Sequence, residues 1–399
     1  MKTSELTTRE VERAGLRAAF DLFRGSLHQP PVCDRDWDQL SASFEPGAVR
    51  GAFDGDRLLA MHQSMPTDIV VPGGERAPLS VQFRFGVGAG HTRRGVGTAL
   101  MAAALRATPE PLAMVRPSEG GIYGRFGFGV ATRCRDLVID RRRAVLTADV
   151  PSGGDTRLAD PADSAGLCRD VYDRTRARPG AIGRWPWYEQ LLNHELAGAG
   201  LFSRVAVHTG ADGPDGTGVP DGFARYSVRG TTLDVDELHC RTPESWAGLW
   251  RFLLGVELVD EIRLRGRPLD EPVEWLFTDP RVCRVTAVRD ELWLRPVDAL
   301  AALRARAYGD GDPVVLGVHD PLLPANSGHY LVGPTEVRRT RRSAQLALSA
   351  ASLASLYLGG VHPLALAVAG VVTVHDPKAL PAADRLFHTD GEPWCGTAV

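Results

Sequence analysis

Val81-Gln82-Phe83-Arg84-Phe85-Gly86-Val87-Gly88-Ala89-Gly90-His91-Thr92-Arg93-Arg94-Gly95-Val96-Gly97, running on into Thr98-Ala99-Leu100-Met101-Ala102-Ala103-Ala104-Leu105-Arg106-Ala107, is the stretch that decides the fold. Val81, Phe83, Phe85 and Val87 recur at every second position, the period of a strand. The second half is rich in Ala and Leu and stops before Pro109, the pattern of a helix. Two arginines and two glycines stand at the join. Glycine lets backbone approach a ligand without Cβ obstruction, and a helix start offers unpaired N–H groups at the positive end of its dipole. The combination suits a pyrophosphate, to which Arg93 and Arg94 add charge-assisted hydrogen bonds. Read alone, Arg93-Arg94-Gly95-Val96-Gly97 suits a tight turn with a solvated basic face equally well.

A second string, Pro117-Ser118-Glu119-Gly120-Gly121-Ile122-Tyr123-Gly124-Arg125-Phe126-Gly127-Phe128-Gly129, separates the two readings. Together the strings resemble the Gcn5-related N-acetyltransferases (GNAT), and specifically the Eis (enhanced intracellular survival) branch. In that superfamily a Gln/Arg-x-x-Gly-x-Gly/Ala turn holds the pyrophosphate of acetyl-CoA. Gly95 and Gly97 fill its glycine slots, Thr92 departs from the pattern in the first slot, and the charge falls to Arg93 and Arg94. The resemblance implies an α/β (α+β) chain of two tandem GNAT folds followed by a sterol-carrier-like domain. On this reading residues 1–148 form the catalytic domain, 149–290 a second GNAT-like domain without a cofactor site, and 291–399 the sterol-carrier-like domain.

The composition agrees with several domains. A chain of 399 residues is too long for one ordinary core, and 44% apolar with 24% charged residues is globular usage. The net charge is -3, lysine occurs only at positions 2 and 378, and there is no long block of like charge, so neither nucleic acid nor a membrane is indicated as partner. The densest basic run, Arg338-Arg339-Thr340-Arg341-Arg342, reads as a solvated strand face. The six cysteines (Cys33, Cys134, Cys168, Cys240, Cys283, Cys395) are far apart and the eleven histidines dispersed, which implies neither a disulfide framework nor a metal. Residues 1–24 lack the apolar core of a signal peptide, and the run Leu364 to Val374 is too short to span a bilayer, so a soluble cytoplasmic protein is expected.

Along the chain, Glu10 to Phe23 has helical periodicity and Trp37 with Leu40 begins a short amphipathic piece. In the Eis family this helical pair walls the acceptor pocket, and Trp37 matches an aromatic that lines it; a core tryptophan is the other reading. Gly47 to Gln63 and Met65 to Gly73 read as an antiparallel meander, Leu112 to Val115 as a strand, and Arg133 to Asp140 as the strand that closes the first domain. After the linker Val150-Pro151-Ser152-Gly153-Gly154-Asp155, strand-forming Asp234 to Cys240 and helix-forming Pro243 to Leu254 repeat the core order of the first domain without its glycines and arginines. Thr209 to Gly218 reads as a hairpin tip. Ser349 to Gly360 has a Ser cap, an apolar helix and a Gly stop.

Acetyl transfer to an amine needs a deprotonated amine, a polarised carbonyl and a proton for the departing thiolate. The backbone of Phe85, Gly86 and Val87 is placed to hold the pantetheine and donate an N–H to the thioester carbonyl. Tyr123, a phenol of reference pKa about 10, is able to protonate a thiolate. By resemblance Tyr123 is the general acid, and the terminal carboxylate of Val399 is the general base; a frayed terminus is the other reading of Val399. Glu119 is the substitute base. The expected activity is acetyl-CoA-dependent N-acetylation, by direct attack, of an aminoglycoside-like polycation. The alternatives are a peptide or protein lysine acceptor, or a lipid-binding protein with an inactive GNAT domain. The resemblance also implies a homo-oligomer, a hexamer.

Overall fold

The computed structural model describes residues 6–198, 200–210 and 218–397. They divide into two compact units, one of residues 6–132 with 292–393 and one of residues 133–291 with 394–397. No described helix is long and apolar enough to cross a membrane.

The first unit opens with β1 (Leu6–Glu10), then α1 (Leu16–Ser26), α2 (Asp34–Leu40), β2 (Val49–Asp54), β3 (Arg57–Val70) and β4 (Arg76–Val87). After these come α3 (Val96–Ala107), β5 (Leu112–Val115), the single turn α4 (Gly120–Tyr123) and β6 (Gly129–Val130). The helix expected from Glu10 begins only at Leu16, because Leu6–Glu10 is an edge strand paired antiparallel with β2. Hairpin turns at Gly55 and Gly73-Gly74, all at positive φ, fold β2, β3 and β4 into the expected meander. β4 then pairs in parallel with β5, and α3 forms the crossover between them.

The second unit contains β7 (Arg133–Asp140), β8 (Asp155–Leu158), α5 (Ser164–Thr175), α6 (Tyr188–Gly198), β9 (Ser203–Thr209), β10 (Pro220–Arg229), β11 (Thr232–Cys240), α7 (Pro243–Gly255), β12 (Glu261–Pro268) and β13 (Cys283–Asp290). Its sheet runs β13-β7-β12-β11-β10-β9-β8. One expectation is corrected here: Arg133–Asp140 does not close the first sheet but pairs with β12 and β13 in the second. There Leu137 and Ile139 enter an apolar core with Leu233, Trp250 and Leu264, whereas β6 is too short to hold the chain in the first sheet. The expected hairpin tip falls largely on residues 211–217, outside the described residues.

The chain returns to the first unit as β14 (Trp293–Pro296), which pairs with β5 on one side and β6 on the other. The first sheet is therefore β1-β2-β3-β4-β5-β14-β6, and its order matches that of the second read from β8. Each sheet has a single parallel pair among its described strands, β4 with β5 and β11 with β12. The remainder is α8 (Ala299–Arg304), β15 (Val314–His319), β16 (Gly328–Val332), β17 (Val337–Thr340), β18 (Leu346–Ser349), α9 (Ala350–Tyr357), α10 (Pro363–Val368), β19 (Val372–Val374) and α11 (Ala379–Phe387). Ser349 caps α9 by accepting from Ser352 N at 3.1 Å, and Gly359 ends it at φ 89°. Arg338 and Arg339 lie exposed on β17, the solvated strand face that the sequence suggests.

Candidate active site

The site is built where β4 and β5 part. Their register runs Leu79 opposite Leu112, Ser80 opposite Ala113 and Val81 opposite Met114, and no β5 residue is registered opposite Phe85–Val87. A parting pair of parallel strands leaves backbone donors and acceptors facing a cleft, as extended amide-bearing ligands require. Within β4 the pairing with β3 slips between Phe83 and Gly86, and Arg84 takes φ 49°. Such a bulge re-aims side chains. Phe85 turns toward α3, while Arg84 stays among the rings beside α1.

The turn after β4 places the expected cofactor residues at the start of α3. Gly95 caps that helix at φ 81°, with no side-chain cap and no acidic residue in the first turn. The first N–H groups of α3 are therefore bare, and a Cβ added at Gly95 would meet nothing within 4 Å. Both features fit a bound anion. Gly97 serves packing: a Cβ there would lie 3.1 Å from Phe85 Cζ and 3.1 Å from Val87 Cγ2. Gly86 does the same on the other face, where a Cβ would stand 3.1 Å from Phe23 Cα of α1. Val96 is buried against the sheet. Arg93, at φ 59°, and Arg94 are exposed beside the helix start and have no ion pair among the described residues.

Tyr123 lies in the apolar cluster of Met101, Leu105, Phe126 and Phe128, against which Phe85 packs, so the expected acid and the expected pantetheine strand share one core. Its ring meets Phe128 edge-on at 5.9 Å. Burial, with the nearby Glu119 carboxylate, raises its pKa above the ordinary phenol value and keeps it protonated at neutral pH. Glu119 itself is exposed at the start of the loop.

Trp37 is half-buried, its ring 5.3 Å from Phe44 and 6.0 Å from Phe20. Arg84, a residue the sequence reading passed over, completes this wall. It donates to Ser43 Oγ at 2.7 Å and Gln63 Oε1 at 3.0 Å, and its guanidinium lies 4.6 Å from the Phe44 ring centre. The signal was available as a cation set between two aromatics, Phe83 and Phe85, near the end of the strand. A second residue passed over is Arg295 of β14, wholly buried, with NH1 2.7 Å from Asp320 Oδ2 and NH2 donating to Oδ1 at 2.9 Å. It underlies Gly127, the residue at φ 84° that ends the Tyr123 loop. Val399 lies outside the described residues.

The corresponding place in the second unit is built differently. β11 and β12 also part, after Val235 opposite Leu264. However, α7 starts with Pro243, which has no N–H, and a reciprocal capping box of Thr242 and Ser245 takes up Ser245 N and Thr242 N.

Comparison with known proteins matches the chain in three parts. A model of the acetyltransferase (GNAT) domain matches residues 7–131 and another matches 180–296, and a sterol carrier protein domain model matches 299–396. An uncharacterized N-acetyltransferase of Streptomyces coelicolor is 39% identical over 349 residues, 82% of each chain. The N-acetyltransferase Eis of Mycobacterium tuberculosis is 34% identical over 375 residues, 89% of each. The crystal structure of Eis1 from Mycobacterium abscessus is 36% identical with a TM-score of 0.88, covering 99% of this chain and 100% of that one.

Proposed function

Because the chain belongs to the Eis-type N-acetyltransferases, we propose that it transfers the acetyl group of acetyl-CoA directly to an amine of a polycationic, aminoglycoside-like small molecule. The observation that carries the reading is the joining of a bare, arginine-flanked helix start and a protonated phenol on one parted strand pair. In this reading the first GNAT domain alone holds the cofactor, since α7 opens on a proline without an N–H and has Ser245 N occupied by its capping box, leaving fewer donors for a pyrophosphate than α3. Acetyl-CoA supplies an activated acyl group when bound, and the residues of the chain do the rest. The N–H groups opening α3, with Arg93 and Arg94, bind the pyrophosphate. The backbone of Phe85–Val87 orients the pantetheine and polarises the thioester carbonyl. Tyr123 gives its proton to the departing sulfur.

The base is the Val399 carboxylate, proposed by family resemblance, with Glu119 as its substitute. An α-carboxyl of reference pKa about 3.5 is ionised at neutral pH and draws an ammonium toward the site or takes its proton through water. Trp37, Phe44 and Arg84 form a wall against which the acceptor lies. We place the enzyme in the cytoplasm as a homo-oligomer, a hexamer like its family. Thiol release from acetyl-CoA, measured with aminoglycosides, polyamines and lysine peptides in parallel, tests the acceptor class. Turnover with aminoglycosides supports the reading. Turnover with peptides alone moves the assignment to a peptide acetyltransferase, and no acetyl-CoA binding at all favours a lipid carrier.

A further inference from the structure

The parted strands of the second unit are not empty space. Residues 394–397 run through them: Trp394 N donates to Pro179 O at 2.8 Å and its Nε1 to Gly266 O at 2.7 Å. Cys395 N and Gly396 N donate to the two oxygens of Glu291 at 3.0 and 3.2 Å, and Thr397 Oγ1 lies 2.8 Å from the Tyr172 hydroxyl. Beside this segment a cavity of about 430 Å³ remains, within the roughly 300–1,000 Å³ of small-molecule pockets.

Its walls define what fits. Trp246, Trp394 and Leu238 present apolar surface. Arg267 is already engaged, donating to Glu271 Oε2 at 2.7 Å and to Leu238 O at 2.9 Å, so it shapes the cavity without offering free charge. Arg241, by contrast, is exposed on the cavity wall and its side chain has no hydrogen bond or ion pair among the described residues. His239, 7% exposed, lines the same cavity, its Nε2 3.9 Å from Glu237 Oε1. Pro243 and the capping box of Thr242 and Ser245 leave the helix start fewer donors for phosphates than that of α3.

We propose that this cavity is a second ligand site, for a small organic carboxylate with a flat apolar body. The body lies against Trp246, Trp394 and Leu238, and the carboxylate pairs with Arg241. Of the other arginines lining the cavity, Arg178 pairs with Asp270 and Arg176 faces Asp173 at 4.0 Å, so an aromatic bed beside Arg241 recognises a negative charge on a planar frame. The proposal stands apart from the chemistry assigned to the first unit, so either fails without the other.

The test is isothermal titration of the full chain with 1-naphthoate, its neutral isostere 1-naphthamide, and inorganic phosphate. The expected result is one naphthoate per chain, bound about tenfold or more tighter than naphthamide, with no binding of phosphate. Arg241→Leu, at an exposed position, is expected to weaken naphthoate about tenfold, and Arg241→Lys to restore part of it. Saturating acetyl-CoA is expected to leave naphthoate affinity unchanged. Absence of naphthoate binding, equal affinity in Arg241→Leu, or displacement by acetyl-CoA would overturn the proposal.

Discussion

Gly127 and Arg295 share one space: a Cβ on Gly127 would begin 2.8 Å from the Arg295 guanidinium carbon, at a backbone φ of 84°. The Tyr123 loop therefore ends on a buried ion pair, since Arg295 is held by both oxygens of Asp320. Asp320 in turn accepts from Leu322 N and Leu323 N, and its carboxyl is held below the usual carboxylate range in spite of its burial. Arg295→Leu strands that carboxylate and is expected to cost about 3–5 kcal/mol in urea unfolding. Gly127→Ala, which adds a left-handed Cβ against the guanidinium, is expected to cost about 2–4 kcal/mol. Unchanged midpoints in both variants would mean that the loop does not depend on this pair.

The packing of α3 on β4 predicts a cofactor phenotype. Gly97→Ala pushes the helix from Phe85 and Val87 by the few tenths of an ångström that its 3.1 Å contacts lack. Acetyl-CoA affinity in equilibrium dialysis is expected to fall about tenfold. Arg93→Gln and Arg94→Gln are expected to weaken it a few-fold each and to flatten its salt dependence, because both side chains are solvated. Salt dependence that survives the double substitution would remove the arginines from the phosphate site.

Much of this was legible in the sequence, for physical reasons. The change from period two to a helical pattern around Gly95 and Gly97 is local, so the strand, turn and helix are recoverable from the residues themselves. The exchange by which Arg133–Asp140 enters the second sheet while Trp293–Pro296 enters the first is not. Nothing local in either segment names its partner, since strand partners are chosen by contacts distant in sequence. Arg84 was hidden by the bulge, which puts Phe83 and Phe85 on opposite faces although their spacing suggests one. Leu6–Glu10 has too few apolar residues to stand out from the helix that follows.

Acid is expected to destabilise the fold through buried histidines. His62, 1% exposed, is held neutral by burial, its pKa lowered from 6.5 to about 4. The unfolded chain binds a proton below 6.5 that the folded chain refuses until about 4, so stability falls as pH drops through that window. For His62 alone the loss between pH 7 and 5 is about 2 kcal/mol. His239, lowered to about 3 chiefly by burial, acts in the same direction. Unfolding free energies at the two pH values check this, and His62→Gln is expected to reduce the difference. Equal stability at pH 5 and pH 7 would contradict the burial argument.

Glu291 anchors residues 395 and 396 through two backbone N–H groups. If the terminal carboxylate is the base, Glu291→Ala is expected to lower kcat by about ten- to a hundredfold while acetyl-CoA affinity holds. Unchanged kcat would shift the base to Glu119, and Glu119→Gln would then carry the loss.

The central claim is that the first domain transfers acetyl with Tyr123 as the acid, and the most direct measurement is thiol release by Tyr123→Phe beside its acetyl-CoA affinity. The substitution removes one oxygen from a buried ring and leaves the packing on Phe128 in place. The account predicts a kcat lower by about a hundredfold or more with cofactor affinity retained, and in the unaltered enzyme no loss of rate on the alkaline side below about pH 10, since burial raises the phenol. A Tyr123→Phe enzyme that keeps full kcat, or a rate that declines well below pH 10 with the pKa of that residue, would contradict it.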